Sequence, residues 1–192
     1  MNRFWTIFLL AVAALMCGCS TPSLHPVYSK DKEVLEPGII GTWAQTDAKT
    51  TYTVTRVGDG YHMLVKNNDP KAPQQWEIGL KLVRLGEHMF ADFAAVEEER
   101  DRHEEHWGAL FIATHMFAKV RIEGDALKVW TLDRDWLKSA VKDGSVKLGL
   151  ATLSDNEVLI TSPTPELQAF LQANAVNNKA FPDPVDLVRQ KP

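Results

Sequence analysis

The sequence predicts a mainly β domain: an antiparallel up-and-down barrel of about eight short strands, with a helix between late strands and a C-terminal helix. Three observations carry this. Alternating apolar and polar segments are joined by short glycine-containing turns, the pattern of hairpins. Helical periodicity occurs only late in the chain, with no strand–helix–strand alternation, so no parallel sheet is expected. At 192 residues and 45% apolar content, the chain is sized for one domain. A meander of this many strands leaves two exposed edges unless it closes on itself, and a barrel removes them.

The elements follow in order. Gly41-Thr42-Trp43 opens a short strand. Thr50–Val57 alternates, with Tyr52 and Val54 on one face and Thr51, Thr53 and Thr55 on the other. Gly58-Asp59-Gly60 turns it into Tyr61–Lys66, a hairpin. Trp76–Leu85 places Trp76, Ile78, Leu80 and Leu82 on one face. Gly86-Glu87 leads to His88–Val96, where Phe90, Asp92 and Ala94 share a face opposite Met89, Ala91 and Phe93. A second hairpin joins Thr114–Ile122 to Ala126–Leu132 through Glu123-Gly124-Asp125. Asp133 is placed to cap a helix carrying Trp136, Leu137, Ala140 and Val141 on its apolar side, ended by Gly144. Glu157–Thr161 reads as the last strand. Thr164 is expected to cap the final helix, with Pro165 in its first turn and Leu167, Phe170 and Leu171 as its buried stripe.

The chain divides around this domain. Residues 1–18 read as a signal peptide, with Arg3 positive and Phe4–Met16 almost wholly apolar. As a helix, that run spans about 20 Å, short of the roughly 30 Å hydrocarbon core, so it is not a membrane span. Gly18-Cys19-Ser20 resembles the site at which bacterial lipoproteins receive a diacylglyceryl group, with a small residue before the modified cysteine. Met16 and Cys17 depart from the usual form, and the alternative is an ordinary secretory signal with incidental cysteines. Residues 19–37, with Pro22, Pro26 and Pro37, read as the acylated cysteine and an extended tether. Residues 38–175 form the β domain, and residues 176–192, with three prolines, read as a loose tail.

Charge and cysteine usage narrow the function. Removing Arg3 with the signal leaves 20 Lys+Arg against 25 Asp+Glu, a net of −5, so no nucleic-acid partner is expected. Both cysteines, Cys17 and Cys19, fall in the signal region, so the domain has no disulfide and no cysteine nucleophile.

Gly41-Thr42-Trp43 near the start of a β meander resembles the G-x-W signature of lipocalins, in which the tryptophan plugs the closed end of the barrel. The sequence shows neither a T-D-Y-like triplet nor an arginine partner for it. A broader resemblance is to uncharacterised bacterial lipocalin-like lipoproteins. It rests on Leu35–Trp43, Leu82–Phe93, Thr114–Phe117, Gly124–Leu127, Asp135–Leu137 and Thr164–Leu171, in order along the chain. It implies a lipocalin-like barrel anchored through Cys19 at the periplasmic face of an outer membrane, since Ser20 rather than Asp follows the cysteine. It implies no activity.

Candidate sites are few. His88 and His115 each open a His-Met-Phe segment, and Asp92 shares a strand face with His88. Brought together, these three would form a polar site for a ligand head group; the alternative is histidines bonded to backbone at strand ends. Trp43, Trp76, Trp107, Trp130 and Trp136 either line a cavity or fill the barrel. His103-Glu104-Glu105-His106, within the charged run Glu97–His106, lacks a metal-ligand spacing and reads as solvated loop rather than a metal site. No phosphate loop, nucleophile elbow, dinucleotide fingerprint or C-x-x-C is present, so no enzyme and no cofactor is expected. Two functions remain: a lipid-anchored barrel binding a small apolar or amphipathic molecule, or a filled barrel serving as a structural or interaction component of the envelope.

Overall fold

The computed structural model describes residues 21–46, 49–70, 73–96, 113–154 and 157–191. The signal peptide, Cys19, the run Glu97–His106 and Trp107 lie outside the described residues.

Eight antiparallel strands close into a barrel: β2 (Gly41–Ala44), β3 (Thr50–Val57), β4 (Gly60–Asn67), β5 (Gln74–Leu85), β6 (His88–Ala95), β7 (Met116–Glu123), β8 (Ala126–Trp130) and β11 (Val185–Arg189). Each of β2 to β8 pairs with its sequence neighbour, and β11 enters between β2 and β8. The predicted hairpins form in register, Thr55 opposite His62 and Ile122 opposite Leu127.

Three expectations are corrected. The tail supplies the closing strand. Val185-Asp186-Leu187 alternates half-buried, exposed and buried, and Leu187 packs in the core inside the barrel. Glu157–Ile160 (β10) is not a barrel strand but pairs with β9 (Leu150–Ser154) in a separate two-stranded ribbon. The expected tether is folded from Thr21 onward: Glu33–Val34 (β1) pairs with β5, and Val27 is fully buried.

Two cores result. One lines the inside of the barrel, with Trp43, Val54, Leu80, Leu82 and Leu187. The other lies outside the wall of β5, β6 and β7, under two helices, α1 (Arg134–Lys142) and α2 (Thr164–Asn174). Val83, Leu85, Phe90 and Phe117 point into it and meet Leu137, Leu167 and Leu171, together with Phe181. Both faces of these strands are therefore covered, which is why β6 reads as nearly continuous buried chain rather than clean alternation.

Asp133 caps α1 as expected, accepting from Trp136 N at 2.7 Å. Thr164 does not cap α2. Pro163 occupies the N-cap position, and Thr164 Oγ1 instead donates to Pro26 O at 2.7 Å, tying the helix to the N-terminal segment.

Candidate functional site

The barrel has two different ends. Gly41, Leu85, His88, Ala126 and Arg189 mark one rim, and Thr50, Ala95, Met116 and Val185 mark the other.

The first rim is shut. A 3-10 turn over Pro37–Ile39 crosses it, and Trp43, fully buried, donates through Nε1 to Ile39 O at 2.8 Å. The Arg189 guanidinium stacks 4.2 Å above the indole. It also donates to Gly38 O at 2.8 Å and, through Nε, to Asp125 Oδ1 at 2.9 Å. One side chain thus ties β11, the β7–β8 turn and the entry to β2. Gly41 adopts φ 138°, and a Cβ there would collide with the Arg189 guanidinium. Sequence reading missed this arginine. The signal was present in the spacing Val185, Leu187, Arg189, which puts Arg189 on the inward face at the strand end.

Between Trp43 and the opposite rim lies an apolar cavity of about 80 Å³. Its existence traces to small side chains. Ala91 and Ala118 are direct cross-strand partners on β6 and β7, both buried, and leave room where larger residues would meet. Phe93, Met116, Thr131 and Val185 line it near the rim. No charged side chain is among the described lining residues; Tyr52 and Thr131 carry the only side-chain hydroxyls there. Burial pushes the Tyr52 phenol above its ordinary pKa and holds it neutral.

The three predicted head-group residues do not form one site. Asp92 and His115 do meet, with His115 Nδ1 2.7 Å from Asp92 Oδ1. The pair faces away from the cavity, because Asp92 shares the outward face of Phe90. Asp92 is almost fully buried, and its other oxygen accepts from Val27 N at 2.6 Å. Tyr28 packs edge-on against His115. Burial raises the Tyr28 phenol pKa, with the Asp92 charge adding to the effect. The cluster is thus a latch that holds the N-terminal segment to the wall, and its existence explains why that segment is not a tether. His88 stands four residues from Asp92, roughly 13 Å along the strand, near the shut rim. There it borders a notch with Arg84, Lys119 and Arg121.

The tryptophans divide likewise. Trp43 lines the cavity, and Trp76 packs half-buried on the barrel core. Trp130 and Trp136 belong to the outer core.

Comparison with protein-family models, curated proteins and solved structures finds no match. The geometry therefore stands by itself.

Proposed function

We propose that this chain is a membrane-anchored envelope lipoprotein whose lipocalin-like barrel holds a small apolar or amphipathic molecule. The observation that carries the binding reading is the uncharged cavity between the Trp43 plug and the far rim. Its size limits the occupant. An engineered 150 Å³ apolar cavity takes benzene, and about 80 Å³ is roughly half of that. What it encloses is therefore smaller than that cavity's benzene guest, a short aliphatic chain of a few carbons, with the thioethers of Met63 and Met116 adjusting around it. The anchor reading rests on Gly18-Cys19-Ser20 after a short apolar signal.

Methionine methyl groups provide the test. Downstream of Cys19 the chain has Met63, Met89 and Met116. Met63 and Met116 line the cavity, whereas Met89 borders the notch near the shut rim. With methyl-13C methionine, titration with 1-propanol should move the Met63 and Met116 resonances and leave Met89 in place. Ala118→Leu, which fills the space, should abolish the response without lowering the melting temperature. No response in the wild-type chain would favour the filled, structural barrel.

A further inference from the structure

We infer that the far rim of the barrel is the face this protein turns to its membrane, so that the cavity end meets the lipid headgroups and the Trp43 plug points away from them. The inference rests on the anchor reading at Cys19 and adds an orientation to it.

The observation that carries it is where the described chain begins. Ser23 is held to the start of β7 by two backbone bonds, Ser23 N to His115 O and His115 N to Ser23 O, both 2.8 Å. His115 directly precedes Met116, which lines the cavity near the far rim. From there the chain runs along the outside of the wall toward the other end. Val27 N meets Asp92 within β6, Glu33 and Val34 pair with Val83 and Leu82 late in β5, and Pro37–Ile39 crosses the shut rim.

Chain reach then decides which end the anchor serves. Cys19 lies four residues before Ser23, a span of about 14 Å at full extension. From His115 to Glu123, at the shut rim, the strand rises roughly 26 Å, or about 20 Å along the barrel axis at the usual tilt. An acylated Cys19 therefore cannot reach the shut rim. Nor can the root of the anchor swivel. Thr21 and Ser23 are buried, Ile160 N donates to Pro22 O at 2.9 Å, and Leu24 N donates to Ile160 O at 2.8 Å. The anchor leaves from a fixed point between β7 and β10, and the adjoining barrel end must follow the bilayer.

The far rim suits headgroups rather than hydrocarbon. Among the described residues it exposes Lys66, Asn68 and Gln74 beside the Lys49–Asp69 ion pair at 3.0 Å. Such a surface keeps its hydration at the headgroup level and does not insert. The exposed apolar residues Ile40 and Val57 lie near the shut rim, where the short tether holds them off the bilayer.

The experiment places the full lipidated chain, its lipid confirmed by mass, in vesicles of phosphatidylethanolamine and phosphatidylglycerol containing a lipid with a nitroxide on its headgroup. Two exposed turn positions carry a fluorophore in turn, Asn68→Cys at the far rim and Glu87→Cys at the shut rim. The thiol of Cys19 is blocked by its lipid, so each label has one site. The nitroxide should quench the label at position 68 strongly and leave that at position 87 nearly unchanged. A Gly-Ser linker of about 20 residues inserted between Ser20 and Thr21, with a mean span of roughly 25 Å, should abolish the difference. Equal quenching at both positions, stronger quenching at position 87, or a difference that survives the linker would overturn the orientation while leaving the anchor in place. If the chain purified from cells carries no lipid mass, the anchor reading fails and this inference falls with it.

Discussion

Trp43 shows how much structure one side chain can organise. Its ring plugs the shut rim, its N–H is bonded and Arg189 covers its face. Truncating a buried aromatic commonly costs about 3–5 kcal/mol, a large part of the roughly 5–15 kcal/mol that stabilises a domain. Trp43→Ala should therefore lower the melting temperature severely, and Trp43→Phe much less, as followed by circular dichroism. Asp92 is the second such residue. Asp92→Ala strands the Val27 N–H and the His115 ring, and should cost about 3 kcal/mol in denaturant titration. Tyr52 adds a pH signature. Its folded-state pKa is raised, so the folded chain holds the phenol proton more tightly than the unfolded chain. That contribution is fully present below about pH 10 and is lost as pH rises through the folded value. Lys119 works in the opposite sense, since burial and then Arg121 lower its pKa. The difference in melting temperature between wild type and Tyr52→Phe cancels Lys119; it should stay level to about pH 9 and decline above pH 10.

Elements differ in how far local sequence dictates them. The β3–β4 and β7–β8 hairpins are written in alternation and turn glycines, and both form in register. The α1 helix is equally local, from its Asp133 cap to Gly144 at φ 79°. The β11 strand is not. Its alternation is confined to five residues between prolines, too short to mark a strand unaided, and its strand state depends on the open slot between β2 and β8. Deleting residues 185–192 should leave β2 and β8 as bare edges and remove Arg189 from Trp43. The expected result is loss of cooperative thermal unfolding and a shift to aggregates in size-exclusion chromatography. The β1 strand, at two residues, is shorter still and is held by β5 and the Asp92 latch nearby.

At the scale of the whole molecule, the wall of β5, β6 and β7 separates two cores with different tasks. The outer one, under α1 and α2, includes the N-terminal segment; the inner one retains a cavity. This arrangement stabilises the barrel from outside, so its interior need not be packed solid. On the proposed anchoring, the acylated cysteine precedes the folded Thr21 by only two residues, so the domain sits directly against its membrane rather than on a long stalk. Cys19→Ala should move the protein from the membrane to the soluble fraction after cell fractionation. A wild-type chain already found in the soluble fraction would refute the anchor.

The sequence by itself determined the mainly β class, seven of the eight barrel strands, both long helices and the tryptophan at the start of the meander. These depend on interactions between residues close in the chain: alternation, turn chemistry and capping. Tertiary structure alone decided which segment closed the barrel, that the presumed tether folds onto the wall, and which predicted polar residues meet. Strand alternation placed His88 and Asp92 on one face, but not which side of the wall that face meets, and the side followed from the helices that cover it. The cavity was hidden for the same reason. Ala91 and Ala118 are unremarkable in sequence, and only the β6–β7 register sets them opposite each other and leaves the space between Trp43 and the rim.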